Sequence, residues 1–238
     1  MRNIVKLFLE PFIKFTGRGK RFNPRKNLGE IFLINFPAGI DFKFIQVGAN
    51  DGVSFDILYN VVTERKSRGI VIEPLKDFYE RLCDNYKDFP EIKKVNKAVH
   101  HTDRIVTMYR VDPARQHELE VWTSGIASFD PNHHKKSNTP NSYIVEERVD
   151  AAPLMELVEE FYQIKECDLL QIDVEGFDYQ VLKTIDFKKL NPVVIKYEYA
   201  NLPEDEKKKS KQLLKKYGYY LFKSNDDMIG VLLNKVRL

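Results

Sequence analysis

The chain has 238 residues and 38 basic against 35 acidic side chains, a net charge of +3. That length allows one α/β domain with short extensions, and the near balance of charge argues against a dedicated nucleic-acid binder, which carries a basic excess on one face. Hydrophobic residues make up 43% of the chain, with 16 Phe and 12 Tyr to fill a core.

Residues 1–40 read as an extension, with 41–238 as the domain. Ile4–Phe15 is amphipathic and is followed by the basic Arg18-Gly19-Lys20-Arg21. It lacks a small-residue cleavage site, so it does not read as a signal peptide. No run reaches the roughly 18 apolar residues of a membrane span. The helix is expected to pack on the domain or on a partner subunit in a homodimer. Peripheral membrane contact through its Phe/Leu face is the alternative. The expected location is the cytoplasm, with membrane-peripheral attachment as the variant.

Phe44–Val47 is a short apolar strand that runs into Gly48-Ala49-Asn50-Asp51-Gly52. Phe55–Thr63 then reads as a helix. Gly69–Ile72 is a second strand, ending on Glu73-Pro74. A tight glycine turn lets backbone approach a ligand, and an acid at the next strand tip is placed for ribose hydroxyls. Asn50 breaks the Gly-x-Gly-x-x-Gly dinucleotide fingerprint, and no lysine is present to make a P-loop. Asp51 would repel a pyrophosphate but suits a cationic ligand. S-adenosylmethionine fits: it has a ribose, an amino-acid end and a sulfonium, and no phosphate.

Leu75–Tyr86 has Phe78, Leu82 and Tyr86 at helical spacing. Lys94–Val99 is a third strand, and its Asn96 and Ala98 lie where the adenine side of such a ligand belongs. Met108–Val149 has weak periodicity and is rich in His, Asn, Ser and Pro. It reads as a lid or acceptor loop, or otherwise as a strand pair wrapping an edge. It holds Trp122, Ser128 and the adjacent His133 and His134. Imidazoles serve as general bases near neutral pH. Adjacent histidines diverge, so at most one of the two is expected to be catalytic. No spacing signature supports a metal site.

Pro153–Phe161 is helical. Leu169–Ile172 is the fourth strand, followed by Asp173-Val174-Glu175-Gly176 and the helix Asp178–Leu182. In an open α/β sheet ligands gather at this edge. Asp173 is expected beside the transferring group, with Glu175 there or holding a neighbouring loop. Val193–Tyr197 adds Glu198 at the same edge. Glu204–Tyr217 is a helix with a solvated charged face, stopped by Gly218. Tyr219–Phe222 and Met228–Leu233 form a hairpin, so the last strand runs antiparallel to the rest. Cys83 and Cys167 have no metal or redox spacing and read as buried free thiols in a reducing compartment.

The alternation gives an α/β fold: a Rossmann-like class I methyltransferase sheet, mostly parallel, with a C-terminal antiparallel hairpin strand and helices on both faces. Gln46–Gly52, Val71–Pro74, Asn96–Val99, Gly125–Ser128, Ile172–Gly176 and Ile195–Glu198 together resemble the FkbM-type S-adenosylmethionine-dependent methyltransferases. The resemblance covers roughly residues 42 to 236 and implies methyl transfer, usually to a hydroxyl of a sugar or polyketide-type acceptor. It implies cofactor contacts at Gly48, Asn50, Gly52, Glu73, Asn96 and Ala98, and Gln46, Asp51, Pro74 and Asp173 beside them are expected to join the cofactor site. Gln46 departs from the acid that methyltransferases often carry there. Acceptor contacts are expected at Trp122, Ser128, Glu175 and Glu198, and the catalytic base at Asp173, His133 or His134. The expected partner is a small-molecule or glycan acceptor and not a nucleic acid. RNA ribose or protein methylation, or a non-catalytic nucleoside-binding role, are the competing functions.

Overall fold

A computed structural model describes residues 34–54, 58–120, 123, 125–161 and 166–236. The N-terminal amphipathic segment through residue 33 and Trp122 lie outside the described residues.

The main sheet has seven strands. They are β1 (Asp41–Val47), β2 (Lys66–Ile72), β3 (Ile92–Val95), β8 (Leu169–Ile172), β9 (Val194–Glu198), β10 (Tyr220–Ser224) and β11 (Asp227–Val231), in the order β10-β11-β9-β8-β1-β2-β3. β3, β2, β1, β8 and β9 are parallel, and β11 pairs antiparallel with β9. The hairpin expected from the sequence is therefore present. The chain order reverses between β1 and β8, which is where an α/β sheet opens a crevice at its carboxyl edge. β1 and β8 are almost wholly buried, as expected for central parallel strands covered on both faces.

The helices are α1 (Leu58–Thr63), α2 (Lys76–Asn85), α3 (Leu154–Phe161), α4 (Asp178–Leu182) and α5 (Glu204–Lys216). α2 buries Phe78 and Leu82, each contributing about 1.5–3 kcal/mol. α5 carries Glu204, Asp205 and Glu206 in its first turn and Lys215 and Lys216 in its last, matching the helix dipole at both ends. The Gly218 and Tyr219 amides donate back to the Lys215 and Leu214 carbonyls, with Gly218 at φ 86°, a left-handed stop that glycine adopts without steric cost.

Two sequence expectations need correction. The run Lys94–Val99 is not one strand. It breaks at Asn96-Lys97, and Ala98–Val99 forms a separate strand, β4. The segment Met108–Val149 is not loop throughout. Its ends belong to β5 (Ile105–Val111) and β7 (Ile144–Ala152), which pair antiparallel. With β6 (Ala127–Ser128) they make a second sheet in the order β4-β7-β5-β6. The alternating burial of β5 shows the period of two that loop-like composition obscured. Cys167 is buried as expected, while Cys83 is half-buried; both are free thiols. Among the described residues no helix is long and apolar enough to cross a membrane.

The second sheet is tied to α2 by Arg110. Its side chain is only 1% exposed. It donates to Asp77 Oδ1 and Oδ2 at 2.7 and 2.8 Å and to Glu147 Oε2 at 2.9 Å. The guanidinium also lies 5.6 Å from the Phe78 ring centroid.

Candidate active site

The glycine turn after β1 is held by backbone. The Gly48 and Ala49 amides both donate to the Ile72 carbonyl at 3.0 Å, and Gly52 donates to Ala49 at 2.9 Å. Gly48, Asn50 and Gly52 all have positive φ, at 77°, 51° and 78°. At Gly48 a Cβ would lie 1.8 Å from the Asp173 carbonyl oxygen, so only glycine lets the tips of β1 and β8 meet. Asp51 closes the turn: Oδ1 accepts from the Val53 and Ser54 amides and Oδ2 from the Ser54 hydroxyl. Burial works to raise its pKa, but the Ser54 and Val53 hydrogen bonds outweigh it and hold the carboxyl below its ordinary value. The structure thus gives Asp51 a turn-forming role. Asn85, not singled out in the sequence, braces the turn by donating to the Asp51 carbonyl at 2.8 Å.

Glu73 is 5% exposed at the tip of β2. Its Oε2 accepts from the Asn50 amide at 2.8 Å and its Oε1 from the Leu75 amide at 2.9 Å. Burial pushes its pKa up to about 7, against the pull of those two amides and of Arg110. Each carboxyl oxygen keeps a second lone pair, so the group can take ribose hydroxyls while it holds the turn. Pro74 follows it, and Asn96 donates to the Glu73 and Pro74 carbonyls at 2.9 Å each. Asn96 therefore shapes the Glu73-Pro74 loop through its amide nitrogen. Ala98 packs with Leu75 and Phe78 in the core beneath the second sheet. Gln46 is buried within β1 at 1% exposure. The glycine turn, the strand-tip acid and the absence of a phosphate-binding lysine fit S-adenosylmethionine.

On the other side of the crevice Asp173 is exposed, and its amide donates to the Val47 carbonyl at 2.9 Å. Glu175 sits at φ 51° and Gly176 at φ 94°. That left-handed pair ends the alternation of β8 and sends the Glu175 side chain toward His133, whose Nε2 is 2.9 Å from Glu175 Oε2. Ser128 of β6 fixes the same turn by donating to the Glu175 carbonyl at 2.9 Å. Asn201 donates to Glu175 Oε2 at 3.2 Å and to Glu198 Oε1 at 2.6 Å. His133, Glu175 and Glu198 thus come together through an asparagine that carries no sequence signal, three residues past the strand.

His133 and His134 both lie on a short 3₁₀ turn, His133–Ser137, and both are buried. Their roles differ. Both line a small cavity with Tyr109, Ile126, Asp130 and Thr139, but only His133 also meets Glu175 at the β8 edge. The His134 Nδ1 atom is buried with no partner among the described residues. Glu198 has its pKa pushed up to about 8, first by burial and then by the charges of Glu175 and Asp173. Asp178, at the start of α4, is fully buried and raised well above its ordinary value by burial and by Asp173 and Glu198. Its Oδ1 accepts from the Glu198 amide at 3.0 Å. Among the described residues no group of three His, Cys, Asp or Glu side chains is arranged to hold a metal ion.

Similarity to solved structures is at low identity. The methyltransferase FkbM of Methylobacillus flagellatus is 13% identical over 84% of this chain and 47% of that chain, with a TM-score of 0.49. The precorrin-6y C5,15-methyltransferase of Geobacter metallireducens is 12% identical over 90% of each chain, with a TM-score of 0.42. Fibrillarin of Aeropyrum pernix with natively bound S-adenosyl-L-methionine is 11% identical over 84% of this chain and 70% of that chain, with a TM-score of 0.40. No curated protein matches the sequence. The sequence model of the methyltransferase FkbM domain matches residues 46–232, a span that opens at Gln46 on β1 and closes just after β11. The chain belongs to the FkbM family of S-adenosylmethionine-dependent methyltransferases.

Proposed function

We propose that the chain transfers a methyl group from S-adenosylmethionine to a hydroxyl oxygen of a sugar, a glycan or another small-molecule acceptor. The observation that carries this reading is the His133–Glu175 pair at 2.9 Å, set at the same sheet edge as the glycine turn. The sulfonium makes the methyl electrophilic when the cofactor is bound; the protein's part is to place and deprotonate the acceptor. Glu175 accepts from Nε2–H of His133, which leaves Nδ1 as the basic atom. Gly176 lies beside it: a Cβ there would sit 3.9 Å from Nδ1, an ordinary contact distance. Asp173, exposed at the strand tip, orients the hydroxyl or takes its proton. The balanced charge of +3 favours a small acceptor over RNA.

The test is a transfer assay with methyl-labelled S-adenosylmethionine against a panel of free sugars, glycans, RNA and protein. Methyl ethers on a sugar or small molecule are expected. His133→Gln and Asp173→Asn should separate the two bases. The true one loses about 100- to 10,000-fold in turnover while binding of S-adenosylhomocysteine survives. Label found on RNA or on protein nitrogen, or parent turnover in both variants, would overturn the reading.

A further inference from the structure

Tyr199 follows Glu198 at the carboxyl end of β9. Its ring is held edge-on by Tyr197, with centroids 6.3 Å apart, and the Tyr197 hydroxyl is anchored on Ser210 of α5 at 3.0 Å. Around this one ring stand three ammonium groups. Lys207 Nζ is 5.6 Å from the centroid, Lys211 Nζ 5.4 Å and Lys223 Nζ 6.0 Å. Lys207 and Lys211 lie one turn apart on α5, so both project over the same patch. Lys223 comes from β10, two strands beyond β9. The tip of the β10–β11 hairpin is fixed there because the Tyr199 and Ala200 amides both donate to the Asp226 carbonyl at 2.9 Å. A fourth ammonium, Lys136, donates to the Asn201 carbonyl at 3.0 Å. Glu204 counters part of this charge, holding Lys207 at 2.8 Å and feeling Lys211 as well. Among the described residues Lys211 and Lys223 form no ion pair.

A ring quadrupole attracts cations, and three ammonium groups within 6.0 Å of one ring centroid concentrate positive charge there. An oxyanion seated among the three gains charge-assisted hydrogen bonds. The position is informative too. Ile172 is level with Tyr197 in the β8–β9 ladder, and Tyr199 directly follows Glu198 at the same carboxyl edge of the sheet. Asn201, two residues on, carries the hydrogen bonds that join Glu175 and Glu198. We propose that Lys207, Lys211 and Lys223, arrayed on Tyr199, bind an anionic group of the methyl acceptor, a phosphate or a carboxylate, and so hold its hydroxyl at the His133–Glu175 edge. The acceptor assignment rests on the methyl-transfer reading; the anion site does not.

The experiment uses the full chain at low salt, with inorganic pyrophosphate and D-glucuronate as separate probes. Binding is measured by calorimetry, and lysine reactivity by acetylation read out in a mass spectrometer. The expected result is saturable binding of one probe that protects Lys207, Lys211 and Lys223, and the probe that protects identifies the source as phosphate or carboxylate. The double variant Lys211→Glu with Lys223→Glu should weaken that probe about tenfold or more and leave S-adenosylhomocysteine affinity unchanged. Protection of these lysines by neither probe, or equal affinity in the double variant, overturns the anion site. Absent S-adenosylhomocysteine binding in the parent chain overturns the methyl-transfer reading instead, and with it only the claim that the anion belongs to a methyl acceptor.

Discussion

Glu73 should couple cofactor binding to proton release. In the free protein burial holds its pKa at about 7 against an ordinary 4.5, so at pH 7 the carboxyl is half protonated. Ribose hydroxyls donating to it favour the ionised form. Binding of S-adenosylhomocysteine should therefore expel about 0.5 proton at pH 7, rising toward one near pH 5.5 and falling to almost none at pH 9. If the bound group returns fully to its ordinary pKa, the shift corresponds to about 3 kcal/mol. Affinity should then climb steeply between pH 5 and 7 and level off above 8. Calorimetry in buffers of different ionisation enthalpy reads the proton count directly. In Glu73→Gln the component assigned to this carboxyl should vanish. The variant also leaves one of the Asn50 and Leu75 amides without an acceptor, at a cost of about 1–3 kcal/mol, which a thermal melt reports separately. A buffer-independent enthalpy in the parent chain, or the same proton count in the variant, would refute the placement of the ribose on Glu73.

Arg110→Met should destabilise the protein by about 1–3 kcal/mol, because it removes the charge-assisted hydrogen bonds that join Asp77 and Glu147, each 32% exposed; denaturant unfolding checks the value, and unchanged stability would contradict the geometry. Asp178 has a folded pKa raised well above 3.8. Its stabilising contribution is complete below that value and is lost as pH rises through the folded pKa. Asp178→Asn should accordingly flatten the fall of Tm with rising pH, and an unchanged slope would show that the group is not held neutral.

The sheet was legible because its signals are local. Leu169–Ile172 and Asp178–Leu182 have the same bounds in the sequence reading and in the structure, since a mostly apolar run and a short helix after a turn each announce themselves. The glycine turn and the strand-tip acid were legible for the same reason: Gly48, Asn50 and Gly52 are turn residues, and Glu73 closes a strand. The second sheet was legible only as the alternative, a strand pair in Met108–Val149, because β5 and β7 pair across the 32 residues between Val111 and Ile144 and neither strand is apolar enough to stand out. Asn201, Asn85, Arg110 and Asp178 act through tertiary contacts that no spacing encodes. Asp51 and Asn96 drew notice for their chemistry, and the structure spends their visible hydrogen bonds on shaping loops.

The meeting of Gly48 with the Asp173 carbonyl has a mechanical consequence. The tips of β1 and β8 are in backbone contact there, with no side chain between them to act as a cushion. Any displacement of the glycine turn must push on the segment that carries Asp173 and Glu175, so substitutions on the two loops should be non-additive.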